Sequence, residues 1–159
     1  IGREIEMVRA AHDAGVPVLG LCFGGQVLSA ALGGEVRQVD TPEFGWHEVD
    51  TDLPDAIAPG PWFEWHYDGF TVPDGATEIA RTDVSPQAFR IGRSVGTQFH
   101  PEVTTELVDR WINMDEKELR AHGVDPIVMA ARSEEEAVGN RARSDVLVDW
   151  FLDGDWFLG

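Results

Sequence analysis

Three observations predict an α/β fold. Residues 1–32 read as helix, apolar strand and helix, residues 35–100 as short β segments, and the chain after Glu102 as helices. A strand set between two amphipathic helices is the unit from which helix-covered sheets are built. With 159 residues the chain is long enough for one domain that buries about two-thirds of its unfolded surface.

The elements follow in order. Ile1, Ile5, Val8 and Ala11 recur at helical spacing, and Gly15 is a suitable stop, so a helix is expected over 1–14. The strand "VPVLGLC" ends at Cys22, and a helix from Gln26 to about Leu32 stops at Gly33-Gly34. The segments "EVRQV", "GWHEV", "WFEWHYD", "TEIAR", "QAFRIG" and "SVGTQFH" are expected strands, divided by Pro, Gly and Asp turns. "TTELVDRWI" and "DEKELRAHG" are expected helices. Asp125-Pro126 supplies an N-cap and first helical position, and Ser133 with Glu136 forms a capping box that opens the last long helix. The closing "DWFLDGDWFLG" is apolar enough to pack back on the body.

Composition narrows the function classes. A net charge of −17 repels phosphate backbones and argues against nucleic acid as a partner. No apolar stretch approaches a membrane span, and the opening residues do not resemble a secretory signal. A single cysteine excludes an internal disulfide and suits a reducing compartment, so a cytoplasmic setting is expected. His47-Glu48 and His100-Pro101-Glu102 lack a zinc-binding spacing, and no metal or other cofactor is expected.

The chemistry centres on Cys22. In "VPVLGLCFGGQ" an apolar strand delivers a glycine-flanked thiol to a sharp turn, which is the layout of a nucleophile elbow. Gly20 and Gly24 are expected to permit the tight turn and close backbone approach, and the N-terminus of the next helix favours the thiolate. The alternative is a buried packing thiol, for which flanking glycines serve no purpose. A nucleophilic thiol needs a base and a group that orients the base. "GTQFHPEV" offers both: His100 ends a β segment, and Glu102, two residues on along an extended chain, lies on the same side.

Together "GLCFGGQ" and "GTQFHPEV" resemble the paired signature of class I glutamine amidotransferases, whose elbow motif is G-x-C-x-G-x-Q and whose base motif is F-H-P-E. "EFGWHEV" and "EWHYDGFTVPDGATEIARTD" resemble the intervening stretch in GMP-synthase-like members, and the helical tail resembles stand-alone members. The resemblance implies a flavodoxin-like three-layer sandwich around a mixed, mainly parallel sheet with extra C-terminal helices. It further implies one domain over 1–159, with 104–159 as its helical C-terminal part.

For function, the resemblance implies hydrolysis of the side-chain amide of L-glutamine through a cysteine thioester. Cys22 is then the nucleophile, His100 the base and Glu102 its orienting carboxylate. Phe23 supplies an oxyanion N–H, Gln26 helps hold the substrate, and the main chain of Tyr67 and Asp68 contacts its α-amino and carboxylate groups. Trp65 and His66 wall or position the pocket, although Trp62, Phe63, Trp65 and Tyr67 read equally as core aromatics. The ammonia released implies a separate synthetase subunit as acceptor. Family members begin with further strands and a glycine-rich loop that supplies a second oxyanion donor, so about a third of the domain is expected to precede Ile1. A γ-glutamyl hydrolase or peptidase, or a non-catalytic regulatory protein on the same fold, are the competing readings.

Overall fold

The structure is a computed structural model that describes residues 1–154. Residues 155–159, the end of the apolar tail expected to pack back, lie outside the described residues. The chain runs α1 (Gly2–Asp13), β1 (Val18–Leu21), α2 (Phe23–Ala31), β2 (Val36–Glu48), β3 (Asp50–Thr51), β4 (Pro61–Phe70), β5 (Thr77–Arg81), β6 (Pro86–Ile91), β7 (Ser94–Thr97), α3 (Thr105–Ala121) and α4 (Pro126–Asp153).

Five strands form one sheet in the order β1-β7-β6-β5-β3, and β2 pairs with β4 in a separate antiparallel ribbon. The expected mainly parallel sheet is not found. Only β1 and β7 run parallel, pairing Val18 with Ser94 through Leu21 with Thr97, whereas β7–β6, β6–β5 and β5–β3 are antiparallel. The cause lies in the connections. A parallel pair needs a crossover of about a dozen residues or more, and the short links 82–85 and 92–93 allow only hairpins.

Helices and ribbon cover the two faces of this sheet. Successive strand residues point to opposite faces, so Phe89 packs with Leu28 of α2 and Val8 of α1, while its neighbour Ala88 packs with Trp62, Phe99 and Leu147 of α4. β7, covered on both sides, is buried throughout. A third cluster joins Phe44 and Phe63 of the ribbon to Val108, Ile112 and Leu119 of α3 and Met129 of α4. Trp62 and Phe63 are therefore core residues, and burying a large side chain of this kind contributes about 1.5–3 kcal/mol.

Several local expectations change. α1 keeps Ile5, Val8 and Ala11 half-buried but leaves Ile1 exposed, and α2 begins at Phe23 rather than Gln26. "EVRQV" and "GWHEV" belong to one long strand, β2, whose pairing slips between Gln38 and Glu43. The two segments of α3 join across a kink at Asp115. Asp125 caps α4 as expected, its side chain accepting from the Ile127 N–H at 2.9 Å. Ser133 does not open a helix. It lies inside α4, where its hydroxyl donates to the Met129 carbonyl and accepts from the Trp46 indole N–H, because the cap at Asp125 has already started the helix.

Candidate active site

Cys22 stands between β1 and α2 with φ 45° and ψ −104°, and it is the one non-glycine residue with positive φ among the described residues. A cysteine in that conformation is strained, and the surrounding backbone holds it there. Two glycines make the close approach feasible: a Cβ on Gly20 would overlap the carbonyl of Gly24, and one on Gly25 would overlap the carbonyl of Thr97 in β7. The expected role of Gly24 as a close-approach glycine is thus taken by Gly25. A Cβ at Gly24 itself would meet open space.

The parallel register of β1 with β7 brings the Cys22 elbow beside the segment that leaves β7. That segment carries Gln98 and His100, and the His100 N–H donates to the Phe63 carbonyl of β4 at 2.8 Å. His100 Nδ1 lies 2.7 Å from Glu102 Oε1. The chain here turns rather than extends, with the Val103 N–H reaching back to the His100 carbonyl at 3.5 Å. His100 Nε2 is buried and forms no conventional hydrogen bond. Burial by itself lowers the pKa of His100, but the facing Cys22 sulfur and the Glu102 carboxylate outweigh it and raise the value to about 10. His100 thus lies against Glu102 on one side and faces Cys22 on the other.

Phe23 opens α2, where the first N–H groups have no partners within the helix, and its ring is exposed. The Gln26 amide donates to the Asp68 carbonyl at 2.7 Å and to Gln98 Oε1 at 3.3 Å. Tyr67 falls at the slip in the ribbon, so no residue of β2 stands opposite it, and its ring packs edge-on against Phe44 and His122. Trp65 also packs within the aromatic cluster, against Phe44 and Trp111. Asp68 is exposed, and its carbonyl also faces His66 Nδ1 at 3.1 Å.

Three participants were not singled out from the sequence. Gln98, fully buried, points its amide nitrogen at Cys22 Sγ at 3.4 Å; its position two residues before His100 was the available signal. Glu43 and Glu64 are buried around His66, whose Nε2 lies 3.2 Å from Glu43 and 3.4 Å from Glu64. Burial raises the pKa of Glu64 to about 7, only partly opposed by His66. Burial works against the charged form of His66 as well, yet the two carboxylates raise its pKa to about 9. Glu64 and His66, two apart on β4, share a face by strand alternation, a signal the sequence carried, whereas Glu43 joins them only through the pairing of β2 with β4.

Chemically, a strained, half-buried thiol, an imidazole with one nitrogen held by a carboxylate and free helix N–H groups suit nucleophilic attack on a carbonyl carbon. A cleft of about 450 Å³ beside β1, lined by Leu19, Leu21, Glu102, Asn140 and Ser144, reaches Glu102 but neither Cys22 nor His100.

Comparison with known proteins gives a consistent answer. Residues 1–116 match the family model described as glutamine amidotransferase class-I. The GMP synthase [glutamine-hydrolyzing] of Aeropyrum pernix is 40% identical over 126 residues, covering 70% of this chain and 24% of that protein. The chain thus spans about a quarter of the length of the curated relatives it matches. A glutamine amidotransferase structure from Thermotoga maritima superposes with a TM-score of 0.86 at 28% identity, over 94% of this chain and 68% of that one. One from Methylobacillus flagellatus does so with a TM-score of 0.86 at 26% identity, over the same shares. With the family model spanning most of its length, the chain belongs to the class I glutamine amidotransferase family.

Proposed function

We propose that the protein hydrolyses the side-chain amide of L-glutamine, releasing glutamate and passing ammonia to an acceptor. The observation that carries this reading is the arrangement of His100, whose Nδ1 is held by Glu102 while its buried Nε2 is left facing Cys22. His100 takes the thiol proton as Cys22 Sγ bonds to the amide carbon. The oxyanion so formed receives the Phe23 N–H. The C–N bond then breaks, His100 returns the proton to the departing nitrogen, and ammonia leaves a γ-glutamyl thioester on Cys22. Water, deprotonated by His100, adds to the thioester and regenerates the thiol. Gln26 and the main chain of Tyr67 and Asp68 hold the amino-acid end of the substrate, a role supported by the absence of a β2 residue opposite Tyr67.

The acceptor belongs to a synthetase partner. Support comes from relatives described as glutamine-hydrolysing GMP synthases. The reaction suits a reducing cytoplasm, since the sole cysteine must stay reduced. Among the described residues no helix is long and apolar enough to cross a membrane.

The test is ammonia release from L-glutamine by the protein and by Cys22→Ala. The expected result is turnover that the substitution abolishes. Faster turnover of γ-glutamyl peptides than of glutamine would instead place the chain among γ-glutamyl hydrolases, and function unaffected by Cys22→Ala would indicate a non-catalytic role.

A further inference from the structure

The hydrogen bonds around Cys22 have a fixed direction that starts from a backbone carbonyl on the other side of the site. The Asp68 carbonyl can only accept, so the Gln26 group 2.7 Å from it must be the amide NH₂. That NH₂ also faces Gln98 at 3.3 Å, so Gln98 must turn its oxygen toward Gln26. Its own NH₂ is thereby directed at Cys22 Sγ, 3.4 Å away. Reversing Gln98 would set two donors against each other at one end and place an oxygen against the sulfur at the other. His66 reinforces the anchor: its Nε2 faces the carboxylates of Glu43 and Glu64, and its Nδ1 lies 3.1 Å from the same Asp68 carbonyl.

We propose that Gln98 is a thiolate donor: its amide N–H, oriented through Gln26 by the Asp68 carbonyl, stabilises the Cys22 anion from a direction separate from His100. A hydrogen bond to an ionised acceptor is stronger than one to a neutral group, so the donor favours thiolate over thiol. Burial of Gln98 keeps water from replacing it. The titratable groups acting at this point are His100 on the segment after β7, Glu102 behind it and Glu64 on β4, which interacts with His100. Gln26 and Asp68 act as positioning groups. The assignment rests on the glutaminase reading only for the name of the reaction it serves.

Because Cys22 is the sole cysteine, its alkylation by iodoacetamide reports on one atom. The rate is measured against pH in the wild-type protein, in Gln98→Met, which keeps the volume without the donor, and in Gln98→Glu, which replaces the donor by a carboxylate. The midpoint of the profile should rise by about one pH unit in Gln98→Met and further in Gln98→Glu. General loosening of the site would speed alkylation without moving the midpoint, so an unmoved midpoint in folded Gln98→Met overturns the assignment. Circular dichroism checks folding. Should both variants fail to fold, Gln26→Met, which frees the Gln98 amide to rotate, must raise the midpoint in the same direction, and an unchanged profile there overturns it equally. Glutamine hydrolysis is measured alongside. Turnover without a midpoint shift refutes the donor and keeps the glutaminase reading, whereas a shift without turnover refutes that reading and keeps the donor.

Discussion

His100 and the carboxylate that holds it are unequally shielded. Its own side chain is 12% exposed, whereas that of Glu102 is 41% exposed, so solvent weakens the carboxylate's hold on the imidazole. Removing the imidazole should therefore cost far more than removing the carboxylate's charge. In glutamine hydrolysis, His100→Ala is expected to lower kcat by about 10²–10⁴-fold. Glu102→Gln should give a smaller loss and a lower His100 titration midpoint, because one of the two interactions that raise it is gone. Steady-state rates and histidine NMR titration would show this. Equal losses in the two variants would mean that Glu102 does more than orient the ring.

The elbow and the caps differ in how much each element tolerates. At Gly25 the missing Cβ is what lets α2 lie against the Thr97 carbonyl of β7, and the obstacle is backbone rather than a movable side chain. Gly25→Ala should destabilise the protein by about 1–3 kcal/mol and displace Cys22 from its base, so that activity falls together with stability. Thr104, whose hydroxyl accepts from the Leu107 N–H at 3.3 Å, caps α3. Thr104→Ala should cost about 1 kcal/mol while leaving kcat unchanged. Urea unfolding beside turnover separates the two cases, and a Thr104→Ala variant that lost activity at full stability would contradict this division.

Across the whole molecule, the buried Glu43–Glu64–His66 cluster ties stability to pH. Folding raises the pKa of Glu64 from 4.5 to about 7 through burial, so the folded state binds this proton more tightly than the unfolded one. The stability so contributed is present below about 4.5 and is lost as pH rises through about 7. His66, raised from 6.5 to about 9 by its carboxylates against burial, has the same sign in a higher window, full below 6.5 and lost through about 9. Thermal midpoints should accordingly fall in two stages between pH 4.5 and 9. Glu64→Gln should remove the lower stage and keep the upper one, its position moved down because His66 loses a partner. A Glu64→Gln curve parallel to wild type would show that Glu64 is not the group responsible.

The elbow and base motifs, the helix–strand–helix opening and the cap at Asp125 were legible in the sequence, because each is written in adjacent residues whose local geometry admits few alternatives. Glycine spacing announced the strained turn at Cys22, and His-Pro-Glu announced an imidazole with a carboxylate in reach. Partnerships between distant segments were not legible. Gln98 faces the sulfur only because β7 lies parallel to β1, and Glu43 meets His66 only because β2 and β4 pair with a slipped register. The antiparallel pairs of the sheet were implicit in the short links 82–85 and 92–93, which join adjacent segments; the mainly parallel expectation came from the family resemblance and not from these residues. Local chemistry determined which residues could react; the tertiary structure alone decided which way their hydrogen bonds point, since direction depends on a carbonyl contributed from across the site.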